Sequence, residues 1–157
     1  MNFNDIETKG AIERVIEFSD GKKICDYRNN TVLATGRAAL AACLTNEIGD
    51  GFNFYISKML FGDGGTTGGI PNYVTAQRTG LFGITRVSKP VISRRNANTQ
   101  YQALFTSVIT FQEGNGFTLN EMALQMANGD LYSLATFPDL SKTAEMQITW
   151  NWRLSFV

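Results

Sequence analysis

Strict alternation of apolar and polar residues is clearest at the end of the chain. In MQITWNWRLSF, Met146, Ile148, Trp150, Trp152, Leu154 and Phe156 fall on one side. Gln147, Thr149, Asn151, Arg153 and Ser155 fall on the other. Period two over this length predicts a strand with one face on a core and the other on solvent or a partner. Trp150 and Trp152 share the apolar face with four other apolar residues, so both are predicted core residues rather than platforms for a sugar or base. TQYQALFTSVITF alternates in the same way, with Tyr101, Ala103, Phe105, Ser107, Ile109 and Phe111 on one side. FTLNEMALQM and DLYSLATF flank Asn128-Gly129, a hairpin signal, and Pro138 is expected to end the second of these strands. AIERVIEF and KKICDY flank Asp20-Gly21 and predict a further hairpin. FNFYISKMLF is apolar on both faces near its end, as in a strand buried on both sides. ITRVSKPVISRR reads as a strand interrupted by Pro90, which suits an edge or a break. PNYVTAQRTGLFG, residues 71–83, lacks clear periodicity and reads as an irregular segment crossing the surface.

One stretch departs from this pattern. TVLATGRAALAACLTNEIGDG predicts a short strand at Val32 and Leu33, then a helix over about residues 36 to 47. Thr35 is the candidate N-cap, and Gly49 and Gly51 stop the helix. Leu40, Cys43, Leu44 and Ala41 would form its buried face. Seven or eight short strands with glycine turns and a single helix predict a mainly β domain, an antiparallel β-sandwich or jelly-roll-like fold. A parallel sheet would need more crossover helices than the pattern offers. The expected organisation is one domain over residues 1–157, with residues 1–9 as an N-terminal arm that orders on a partner.

Composition narrows the chemistry. The chain has 157 residues, of which 43% are apolar and 18% charged, with zero formal net charge. That is enough for a core, and it lacks the basic footprint of a nucleic-acid binder. There is no histidine, so the commonest general base and metal ligand are missing. Cys25 and Cys43 form no CxxC pair and no zinc set; two buried free thiols are expected in preference to a disulfide. No signal-peptide core or apolar run of membrane-spanning length is visible, which suggests a chain made in a cytoplasm, or built into a particle there.

FGDGGTTGG, residues 61–69, raises the question of a phosphate loop. A Walker loop needs GxxxxGK[ST] leading into a helix, but here no such lysine follows and Ile70-Pro71-Asn72 does not start a helix. A dinucleotide fingerprint would need a βαβ unit around it. The glycines are better explained by a sharp turn or by close backbone approach, including approach to another subunit. Gly62, Asp63, Gly64, Gly65, Gly68, Gly69 and Tyr73 are therefore the candidate subunit contacts. Asp50 and Asp63 lack the ligand ladder of a calcium loop. Nothing marks Glu113 and Glu121 as a catalytic pair, and serine or cysteine nucleophiles lack a base. Arg86, Lys89, Arg94 and Arg95 form one basic cluster, read as a solvated strand face rather than an anion or partner site. No enzyme activity, metal or cofactor is expected.

Several motifs in this order resemble a known family. They are Thr35-Gly36-Arg37, Gly62-Asp63-Gly64, Asn120-Glu121, Phe137-Pro138, Lys142-Thr143 and Thr149-Trp150. Over residues 31–157 the pattern resembles small virion structural proteins of tailed bacteriophages. It is similar to the baseplate-attachment domain at the start of phage tail fibres. The resemblance implies a non-enzymatic virion component, assembled in the host cytoplasm, that contacts other virion proteins. It also implies a homo-oligomer, a trimer or ring. Attachment in the tail, collar or baseplate is the leading expectation; a capsid decoration protein is the alternative, since the chain carries no fibre repeat of its own. A carbohydrate-binding recognition module is a further alternative, for which Tyr55 and Tyr73 are the candidate exposed aromatics.

Overall fold

A computed structural model describes residues 8–45 and 53–156. Two five-stranded antiparallel sheets face one another. The first contains β1 (Thr8–Phe18), β2 (Lys23–Asn29), β8 (Ile92–Arg95), β9 (Gln102–Ile109) and β12 (Met146–Phe156), in the order β2-β1-β12-β9-β8. The second contains β3 (Thr31–Val32), β4 (Ile56–Gly62), β7 (Thr85–Pro90), β10 (Thr118–Met126) and β11 (Leu131–Ser141), in the order β3-β11-β10-β4-β7. A two-stranded hairpin joins β5 (Thr66–Thr67) to β6 (Ile70–Pro71). The helix α1 spans Ala34–Leu44. This is the mainly β, sandwich-like fold that the strand pattern predicts.

The alternating terminal strand lies at the centre of its sheet. β12 pairs with β1 along its whole length and with β9 on its other side. Its apolar residues Ile148, Trp150, Trp152 and Leu154 are buried between the sheets. Trp150 sits between Phe61 and Phe137, with ring centroids 5.1 and 5.3 Å away. Arg14 enters this core from β1, with its guanidinium 5.6 Å from the Trp150 ring and paired in two places to Asp26 on β2. Such a charge can be buried because Asp26 holds it at the sandwich edge and the aromatic rings cover its face.

Pro90 marks the passage between sheets. β7 ends there on the edge of the second sheet, and β8 begins at Ile92 on the edge of the first. This passage splits the basic cluster expected from sequence. Arg86 pairs with Asp63 and Lys89 with Glu113, while Arg94 and Arg95 stand exposed on β8.

Several local expectations are corrected. Thr35 does not cap the helix: Leu33 occupies the N-cap position without a side-chain cap, and the Thr35 hydroxyl donates to the Leu131 carbonyl instead, at 2.5 Å. The helix buries Gly36 and Ala39, with Leu40 half-buried, whereas Cys43 and Leu44 are exposed. Both cysteines are free, but both are exposed, not buried. Cys25 lies on an edge strand, and Cys43 on the solvent side of α1. Pro138 does not end β11, which runs on to Ser141 through a register shift opposite Asn120. A bulge spares the ladder from needing a proline N–H, so the strand continues. Residues 8 and 9 of the expected arm belong to β1. The helix ends at Leu44 with Thr45 as its C-cap, short of the expected end near Glu47. The rest of the expected arm, Glu47 itself, the glycine stops Gly49 and Gly51, and Asp50 lie outside the described residues.

Candidate functional site

The loop between β4 and β7 covers the outer face of the second sheet. Beneath it, Leu33, Val74, Ala123, Leu131 and Leu134 form a small second core, with Leu60, Leu81 and Phe82 packed against it. A long loop carries many backbone N–H groups that need partners once buried. Here two adjacent residues of β10 supply them.

The Glu121 carboxylate is fully buried and accepts from three backbone N–H groups: Gly64 at 3.0 Å, Phe82 at 2.6 Å and Gly83 at 2.8 Å. It thereby ties both ends of the loop to one point on the sheet. Asn120 takes the other side. Its Oδ1 accepts from Gly65 N–H at 2.7 Å, and its Nδ2 donates to the Asp63 carbonyl, Thr66 Oγ1 and Asp139 Oδ1 at 3.2, 3.0 and 3.0 Å. The register shift in β10–β11 lets both neighbours serve one loop. Asn72 closes the β5–β6 hairpin by accepting from Thr67 and donating to the Gly64 carbonyl. Sequence reading missed this role of Glu121. The available signal was a carboxylate inside the apolar run TLNEMALQM, which must find donors if it is buried.

The glycines divide into two groups. A Cβ on Gly62 would lie 2.6 Å from Glu121 Oε1, one on Gly64 2.3 Å from Gly83 N, and one on Gly65 2.3 Å from the Asn120 carbonyl. These three permit close approach within the chain itself. Gly68 and Gly69 instead adopt left-handed φ values of 59° and 79° with open space around them. They form the hairpin tip, and beyond it Ile70 and Tyr73 are 72% and 88% exposed. Asp63 lies below the tip, accepting from Ile84 N–H and from Arg86 Nε. The Arg86 hydrogen bond holds the Asp63 carboxyl below the usual carboxylate range. Tyr55, the other candidate aromatic, is exposed just before β4, at the end of that strand away from the glycine loop.

The remaining motifs also have structural work. Gly36 brings α1 onto β11, where a Cβ would lie 2.5 Å from the Tyr132 carbonyl. Lys142 is buried, and its Nζ donates to Asn115 Oδ1 and the Thr143 carbonyl at 2.8 and 2.9 Å, pinning the turn before β10. Burial lowers the Lys142 pKa. Glu113 binds Lys89 rather than pairing with Glu121. Among the described residues no three His, Cys, Asp or Glu side chains gather as metal ligands, and no helix is long and apolar enough to cross a membrane.

Comparison with known proteins agrees with this picture. A family model described as phage tail-collar fibre protein, N-terminal, matches residues 30–153. The match begins just before β3 and ends within β12, so it takes in α1, the glycine loop and its Asn120-Glu121 anchor. Searches of curated proteins and of solved structures gave no match. With most of its length inside the family model, the chain belongs to the phage tail-collar fibre protein N-terminal family, a structural family of the virion tail.

Proposed function

We propose that this chain is a non-enzymatic attachment domain of the phage tail, docking in the collar or baseplate region and joining fibres to it. The family match over residues 30–153 carries the reading. The loop architecture supports it. Glu121 and Asn120 make the 63–83 loop a fixed part of the sandwich, so its tip is presented without the ordering cost of a mobile loop. The exposed Ile70 and Tyr73 beside Gly68 and Gly69 suit a contact in which another backbone comes close. In this reading the tip and Asp63 meet a neighbouring tail protein or a second copy, in a trimer or ring assembled in the host cytoplasm. Gly62, Gly64 and Gly65 support the contact from behind. A position on the head shell finds no support among these observations.

Copy number and neighbours test the proposal together. Cross-linking of purified virions carrying Gly68→Cys, with the exposed Cys25 and Cys43 replaced by serine, is expected to capture tail proteins, at a low copy number relative to the major capsid protein. Capture of the major capsid protein, with the chain present at comparable copy number, would overturn it.

A further inference from the structure

The outer face of the first sheet carries a row of directly opposed polar side chains. Tyr27 faces Glu13, Glu13 faces Asn151, and Asn151 faces Thr106, across β2, β1, β12 and β9. They are bonded in sequence. Tyr27 Oη donates to Glu13 Oε2 at 3.3 Å, Asn151 Nδ2 donates to Glu13 Oε1 at 2.9 Å, and Thr106 Oγ1 donates to Asn151 Oδ1 at 2.8 Å. The next row runs Ala11, Arg153, Leu104, Arg94. Because Ala11 is small, the two rows enclose an open depression of about 260 Å³.

Charge selects the occupant. Both Glu13 oxygens are engaged within the row. Arg94 and Arg153 form no ion pair with any of the described residues, and both are exposed. The depression thus presents two guanidinium groups ready for a carboxylate. Beside them lie a carboxylate, an amide and a hydroxyl, which can donate and accept, and the 71% exposed ring of Tyr27. An extended peptide lying across the strands would leave its own N–H and C=O groups without a ladder partner. A sugar ring has hydroxyls that both donate and accept, and an apolar face for Tyr27.

We infer that this depression binds an acidic saccharide, a uronate-type unit of a polysaccharide chain. The carboxylate lies between Arg94 and Arg153, the hydroxyls exchange bonds with Glu13, Asn151 and Thr106, and the ring rests against Tyr27. The site faces away from the hairpin tip of the proposed attachment contact and is independent of it.

The test is a two-dimensional amide NMR titration of the full chain with D-glucuronate and oligogalacturonate, using D-glucose and a glutamate-rich peptide as comparisons. Single-unit binding is expected at about 1 mM or weaker, tighter for the oligomer, with saturable shifts confined to β1, β2, β9 and β12. Arg153→Ala and Arg94→Ala should each weaken binding about tenfold while leaving the rest of the spectrum in place. Tyr27→Phe should keep the affinity and Tyr27→Ala should lose it. Three results would overturn the inference: no saturable shifts with either uronate, equal shifts with D-glucose, or tighter binding of the peptide at the same residues.

Discussion

Glu121 accepts a hydrogen bond from the Gly64 N–H at 3.0 Å, at a place where a Cβ on Gly64 would run into the Gly83 backbone. The two residues solve one problem. The loop must come close enough for a carboxylate to reach three N–H groups, and only a residue without a side chain lets two loop strands meet over it.

Removing the acceptor should therefore cost more than removing a surface charge. Glu121→Ala takes the acceptor from the part-buried N–H groups of Gly64, Phe82 and Gly83, and each group left without a partner costs about 1–3 kcal/mol. Urea unfolding should show a loss of about 3 kcal/mol or more. Glu121→Gln retains part of the acceptor capacity and should fall between. A loss below about 1 kcal/mol for Glu121→Ala would mean that the anchor contributes little.

The two groups of glycines should respond differently. Gly64→Ala drives a methyl into backbone at 2.3 Å, an overpacking of about 1–3 kcal/mol. Gly68→Ala meets open space and is penalised only by its left-handed φ of 59°, about 1 kcal/mol. Equal losses in thermal melts would contradict the division between internal packing and exposed tip.

Trp150→Ala empties the space between Phe61 and Phe137 and should cost about 3–5 kcal/mol, as should Trp152→Ala. Chemical denaturation measures both. Values under about 1 kcal/mol would place these rings at the surface.

The contrast between these sites explains what the sequence made legible. Trp150 and Trp152 announce themselves because burial on one face of a strand repeats every second residue. The hairpins at Asp20-Gly21 and Asn128-Gly129 are equally local. Glu121 is different: its donors lie 57, 39 and 38 residues away, and no local pattern encodes them. Thr35 fits the cap signature but turns to Leu131, because the helix docks on β11 through Gly36. Pro138 stops a regular strand, yet a register shift created by the partner strand accommodates it. The exposure of Cys25 and Cys43 likewise depends on which strand lies at the edge and which helix face docks.

Acid should loosen the loop first. Asp63 is held below its ordinary pKa by Arg86, Glu113 by Lys89, and Asp139 by Thr66 and Asn120. A carboxylate with a depressed folded pKa stabilises the fold above its unfolded pKa, and that stability is lost as pH falls through the folded value. Melting temperature should therefore drop below about pH 4, and Asp63→Asn should flatten that drop. Lys142 has a linkage of the same sign at higher pH. Burial lowers its pKa, so its cost is fully present below the folded pKa and is relieved as pH rises toward the unfolded value. An acid limb unchanged in Asp63→Asn would remove this ion pair from the explanation.

The tip makes the sharpest separation between folding and assembly. Ile70 and Tyr73 are 72% and 88% exposed, so replacing them removes almost no packing within the chain. The carbonyl groups that hold the hairpin belong to Gly65 and Asn72, whose backbone bonds survive the change. The double variant Ile70→Ser, Tyr73→Ala should thus melt within about 0.5 kcal/mol of the parent. If these residues anchor a docked neighbour, truncating them should cost at least about 2 kcal/mol of association, roughly thirtyfold in affinity. Where the neighbour is a second copy, light scattering would read this as a smaller particle than the parent forms; where it is another tail protein, complementation would read it as virions that lack the chain. Normal incorporation of a stable double variant would move the attachment contact to another surface of the sandwich.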